Sequence, residues 1–120
     1  MSDVVEKADM LGKAIAESPA ARNFRKAREE MNKQPKVLEL FKNFVAQSNK
    51  VMEATRKNQP VEVEDKHRLN ELHQQLADSE AFKAFSAAQV EYMDMMRKVN
   101  QAIDKHLRPI EGQTESEAQA

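Results

Sequence analysis

The stretch Ser79–Leu107 limits the possible folds more than any other part of the chain. It reads SEAFKAFSAAQVEYMDMMRKVNQAIDKHL, with no Gly or Pro. Phe82, Phe85, Gln89, Tyr92, Met96, Val99, Ile103 and His106 recur at alternating steps of three and four, and Leu107, Met93 and Met95 widen the line. That spacing draws one continuous seam along a single helix. At 1.5 Å per residue the helix is about 40 Å long. A helix of this length buries its seam only against other long helices.

The rest of the chain supplies them. Asp3 caps a first helix running to about Glu17, with Val4, Ala8, Leu11 and Ile15 on one face. Gly12 lies inside it, either as a simple cost to helix stability or to let a neighbour approach closely. Ser18-Pro19 ends that helix and starts a second, since Ser is a favoured N-cap and Pro a favoured first helical residue. Ala20, Phe24, Ala27 and Met31 share its apolar face. Pro35 opens a third helix to about Lys57, whose seam is Leu38, Phe41, Val45, Ser48, Met52 and Thr55. Asn58-Gln59-Pro60 breaks the chain, because Pro disfavours helix at the residue before it. The short polar loop suits two antiparallel helices. A fourth helix runs from Glu62 or Val63 to Ala77, carrying Leu69, Leu72 and Leu76. Asp78-Ser79 is a capping signal compatible with either a kink in one long helix or a turn between two. Pro109 stops the last helix.

Ser18-Pro-Ala-Ala-Arg-Asn-Phe24 echoes Ser79-Glu-Ala-Phe-Lys-Ala-Phe85. Each has Ser, then Ala two on, then Phe six on. Both an internal repeat and a chance likeness between helix starts fit this echo.

Composition agrees with an all-helical chain. Of 120 residues, 32% are charged, 40% are hydrophobic and only two are Gly. The expected fold is all-α: an elongated antiparallel helical hairpin or bundle of about four to five helices. It forms one helical domain over 1–108, followed by a disordered acidic tail over 109–120. An elongated small chain buries little surface alone, so oligomerisation is the expected way to cover what remains.

Charge and residue usage exclude several functions. Nineteen basic residues stand against 20 acidic ones, without the basic excess that supports broad nucleic-acid binding. No Cys is present, so disulfides, thiolate metal sites and Cys-ligated clusters are excluded. No run reaches the eighteen or so apolar residues that span a membrane. The start MSDVVEKADM lacks the basic and apolar regions of a secretory leader. The expected location is the cytoplasm.

Candidate chemistry is sparse. Glu64-x-x-His67 has the spacing of a di-metal carboxylate bundle, but such a site needs a second copy. Asn70 and Ile103 stand three before His73 and His106 instead. Gly12 and Gly112 stand alone, so there is no phosphate loop. Ser18, Ser48, Ser79 and Ser86 lack the setting of a nucleophile. The expectation is therefore no enzyme, no metal and no cofactor.

Two surfaces remain as candidates. Tyr92-Met93-Asp94-Met95-Met96, with Val99, holds more apolar groups than one narrow seam can use, because neighbours lie about 100° apart on a helix. Met adapts to irregular partners, so Tyr92, Met93, Met95, Met96 and Val99 form a candidate oligomer or partner interface. Arg22, Arg25, Lys26 and Arg28 form a short basic run. It reads as a solvated, salt-bridged face or as a docking face for an acidic partner.

Taken in order, the motifs resemble the YlbF/YmcA family of small helical bacterial proteins, in its YheA-like, cysteine-free branch. The matching segments are Ala8-x-x-Leu11-x-x-Ala14-Ile15, Ser18 to Phe24, Gln34-Pro35-Lys-Val-Leu-Glu-Leu-Phe41-Lys-Asn-Phe44, Leu72-His-Gln-Gln-Leu76-Ala-Asp-Ser79 and Phe85-Ser-Ala-Ala-Gln89. The resemblance implies antiparallel long helices, self-association and a non-enzymatic regulatory role. Some family members act in a complex that influences competence, biofilm formation and sporulation, linked to messenger-RNA processing by a membrane-bound endoribonuclease. Members of that complex have been associated with iron–sulfur clusters held by Cys, which this sequence lacks. Family members commonly carry Gly in the central loop, where Asn58-Gln59-Pro60 stands here. The reading is a cytoplasmic homo-oligomeric adaptor, with a nucleic-acid-binding accessory factor using the basic face as the alternative.

Overall fold

The computed structural model describes residues 3–119, with side-chain surroundings for 3–111. It is all-α, with five helices in chain order: α1 (Asp3–Glu17), α2 (Pro19–Asn32), α3 (Pro35–Arg56), α4 (Val63–Ala77) and α5 (Glu80–Gln119). No strand occurs among the described residues.

The caps explain most boundaries. Ser18 has extended backbone, and its Oγ accepts from the N–H of Ala21 at 3.2 Å and donates to the carbonyl of Ile15 at 2.6 Å. Pro19 follows at the first helical position, where its missing N–H costs nothing. Ser79 repeats the device, accepting from the N–H of Phe82 at 3.1 Å. The Asp78-Ser79 signal is thus a true break: α4 ends at Ala77 and α5 begins at Glu80.

At the end of α3, Asn58 takes the left-handed conformation with φ 57°. The N–H of Gln59 reaches the carbonyl of Ala54 at 2.8 Å, and that of Asn58 reaches Thr55 at 3.1 Å. This is the paired arrangement that a Gly normally closes. Asn substitutes because its short polar side chain tolerates the left-handed region.

The helices form two antiparallel pairs. α3 and α4 lie along each other, with the Phe44 and His73 rings 5.9 Å apart. Asp65 latches them near the loop: Gln47 donates to its carbonyl at 3.0 Å and its carboxylate at 3.2 Å, and Lys50 to the same carboxylate at 3.1 Å. These bonds hold the half-buried Asp65 carboxyl below its ordinary range, Lys50 contributing most and Gln47 next. α2 packs on α5 through small residues, with Ala21 and Ala88 both buried.

The core sits where the pairs meet, at Met31, Val37, Leu76 and Phe85. Phe41 joins them, its ring 5.4 Å from Phe85 and 6.1 Å from Phe82. Only seven hydrophobic side chains are buried among the described residues. The radius of gyration is 19.4 Å, against about 14 Å for a compact chain of this length. The molecule is elongated, as expected, and its own core is small.

One boundary differs from expectation. The helix does not stop at Pro109 but continues through it to Gln119. Pro109 removes one bond, to the carbonyl of Lys105, yet both residues are exposed and Pro109 lies about 120° round the helix from the Phe85 line. Water can satisfy that carbonyl, so the break is not forced. The expectation of a disordered tail concerns 109–120, whose side chains from 112 onward lie outside those described.

Candidate protein-interaction surface

The middle of α5 divides by depth. Tyr92 lies over Phe24, ring centroids 5.2 Å apart and 28° from parallel. Its ring is therefore committed to the α2 contact. Met95, Met96 and Val99 are half-buried beside it, while Met93 turns outward with 60% of its surface exposed. Tyr92, Met93 and Met96 line a shallow open groove that runs along the surface of α5 past Arg97, Asn100, Gln101 and Asp104. The five candidate residues thus stay together on one helix. Tyr92 supports the floor and Met93 is the group most available to another chain.

The rim of this groove is charged. Asp94 accepts from Arg97 at 2.6 Å and pairs with Lys98 at 3.2 Å. Hydrogen bonding by Arg97 first, then Lys98, holds its carboxyl below the ordinary range. A wet rim around an apolar floor is the usual anatomy of a protein-binding patch.

The basic run of α2 does not form one face. Arg22, Arg25 and Lys26 are exposed and cluster within about 100° of arc. Arg28 is drawn aside, its guanidinium 5.9 Å from the centroid of the Phe24 ring. That is cation–π distance, so Arg28 caps the Phe24–Tyr92 stack. Among the described residues none of the four takes part in an ion pair.

The remaining candidates are placed as follows. Glu64 and His67 are exposed on α4, His73 lies against Phe44, and His106 is exposed on α5. No three His, Asp or Glu groups converge among the described residues. No helix there is long and apolar enough to cross a membrane.

Sequence reasoning missed a second surface. Beyond Val99 every described residue of α5 is exposed, including Ile103, Leu107 and Ile110. α1 has no buried residue, and Val4, Val5, Met10 and Leu11 stand in water. Ile103 lies on the seam that the spacing predicts, but on a length of it that α2 does not cover. The signal that could have warned of this is the length of α2, whose 14 residues cover only about 21 Å of its partner.

Comparison with known proteins agrees with this architecture. The crystal structure of Bacillus subtilis RicA, determined in complex with RicF, superposes with a TM-score of 0.65 at 18% identity, covering 88% of this chain and 94% of RicA. No curated protein sequence matches. The sequence profile described as control of competence regulator ComK, YlbF/YmcA, matches residues 4–108. With nearly the whole chain matched, this protein belongs to the YlbF/YmcA family.

Proposed function

We propose that this chain is a non-enzymatic, cytoplasmic adaptor that self-associates and binds a second protein through the Met93 groove of α5. The observation that carries this reading is the imbalance between core and apolar surface. Among the described residues seven hydrophobic side chains are buried, while a dozen large ones remain exposed. A chain so built gains most of its burial from partners. Membership of a family of competence regulators supports a regulatory role, and RicA, of the same fold, binds RicF. The pathway we assign is the family's own, the control of RNA processing and developmental choice. No cofactor enters the account.

Affinity purification from the native cell, with mass spectrometry, tests it. Met93→Glu leaves the core untouched, because that side chain already faces water. A protein enriched by the wild type and lost with Met93→Glu is the expected result. Equal enrichment by both would move the partner site off this groove.

The alternative, a nucleic-acid accessory role, draws on the exposed Arg22, Arg25 and Lys26. It predicts RNA binding that weakens steeply with salt. Absence of an RNA mobility shift at low salt removes it.

A further inference from the structure

The α2–α5 pair has two long sides. One is floored by alanines of both helices, with Lys26 and Glu30 on its α2 wall and Ala87 and Glu91 on its α5 wall. Its charges are mixed, so it favours neither sign of partner. The other side follows from helix geometry at about 100° per residue. Arg25 and Arg28 stand roughly half a turn round α2 from Lys26 and Glu30, and Gln89, Met93 and Met96 roughly half a turn round α5 from Ala87 and Glu91. Phe24 and Tyr92 face each other across the pair. The two arginines and the methionine groove therefore share one side of it.

That side is apolar at one end and cationic at the other. Met93 is 60% exposed, and Met96 and Gln89 are half-buried. Arg25 and Arg28 are exposed, and among the described residues neither pairs with a carboxylate, Glu29 included. Their distance from Met93 can be worked out. The Phe24 ring lies 5.5 Å from Phe85 and 5.2 Å from Tyr92, midway between them. Because α2 runs against α5, Arg25 and Arg28 lie one and four residues farther from Met93 than Phe24 does. Along the pair this puts them about 8 Å and about 13 Å from Met93.

We infer that this side takes an acidic amphipathic helix of another protein, its apolar side chains seated on Met93 and Met96 and its carboxylates on Arg25 and Arg28. This rests on the Met93 groove proposed above and names what enters it. A helix fits because the face is built from two helices and offers a strand no sheet edge. Residues four and eight along a helix share one face and lie about 6 Å and about 12 Å from the first. That spacing matches the two arginines. An acidic helix fits because a neutral or basic one would cover two guanidinium groups without compensating their charge, which is costly. Both cations are Arg, whose planar fork takes a carboxylate through two parallel bonds. The Phe24 ring already steadies one of them, with the Arg28 guanidinium 5.9 Å from its centroid.

The test uses a fluorescein-labelled, end-capped peptide of about fifteen residues, with Leu in its first turn and Glu four and eight residues on. A twin peptide carries Lys in place of both Glu. Fluorescence anisotropy with the full chain is the readout. The expected result is that the Glu peptide binds, more weakly as salt rises, and the Lys twin does not. Arg25→Glu combined with Arg28→Glu should weaken the Glu peptide about tenfold or more with helicity unchanged, and should gain binding of the Lys twin. Unfolding alone cannot reverse the preference in this way. Equal binding of the two peptides by the wild type, or binding of neither, would overturn the inference. Binding that needs Met93 but ignores both arginines ends the acidic partner alone. Binding that needs the arginines but survives Met93→Glu ends the Met93 reading and the inference with it. Self-association lost in the double arginine variant would assign the face to a second copy, and a short single-stranded RNA bound more tightly than the Glu peptide would assign it to nucleic acid; either overturns the inference.

Discussion

Leu72 and Leu11 each stand seven residues before a Ser that opens a new helix, so replacing each with Ala gives a controlled comparison. Leu72 is 3% exposed under α3. Removing three carbons there forfeits about 2.4 kcal/mol of transfer free energy at roughly 0.8 kcal/mol per methylene. A residual void of about 60 Å³ adds about 1.5 kcal/mol. The expected loss for Leu72→Ala is therefore about 4 kcal/mol. At Leu11 water already reaches the side chain, so no void forms and the loss is about 1 kcal/mol in the monomer. Urea unfolding followed by circular dichroism, on samples dilute enough to be monomeric, measures both. Raising the protein concentration should leave the Leu72 cost unchanged and enlarge that of Leu11, because a bound partner adds to stability only where it binds the folded state. Equal costs at every concentration would mean that α1 takes no part in self-association.

Other outcomes follow from individual contacts. Ser79→Ala removes the cap between α4 and α5 and should cost about 1 kcal/mol in thermal or urea unfolding; no change would mean that the turn is held elsewhere. Asn58→Gly should be neutral or slightly stabilising and Asn58→Val destabilising by about 1–2 kcal/mol, because only the latter fights the left-handed backbone. The folded-state pKa of Asp65 lies below its unfolded value, so its contribution is present above the unfolded pKa and is lost as pH falls through the folded one. Acid should therefore loosen the α3–α4 hairpin, and in Asp65→Asn that part of the pH dependence should be missing from stability measured between neutral and acid pH. Gly12→Ala should stabilise α1 by up to about 1 kcal/mol, since nothing lies within 4 Å of the added Cβ; a loss of helicity would point to an unseen close neighbour.

The helices were legible because their punctuation is local. Ser18-Pro19, Pro35, Asn58-Gln59-Pro60 and Ser79 each act on their own backbone, and the observed ends fall at or beside them. The all-α class followed from the same signals. What no local signal carries is which length of a seam meets a partner. Phe82 to His106 has one periodicity throughout, yet Phe85 is buried and Ile103 is 41% exposed. The difference lies in the reach of α2 and the bend at Ser18, both tertiary facts. Pro109 misled for a related reason: its steric rule is strong in a packed helix and weak where water replaces the lost bond. At the candidate groove, the excess of apolar groups around Met93 could be read from spacing alone. That Tyr92 turns inward onto Phe24, and that Phe24 draws Arg28 out of the basic face, depended on α2 crossing at that height.

The proposed function requires this chain to cover apolar surface with a second copy of itself. Sedimentation equilibrium over a wide range of concentration tests that most directly. The prediction is a reversible transition from the 13.7 kDa chain to at least twice that mass. A single 13.7 kDa species at every concentration would contradict it.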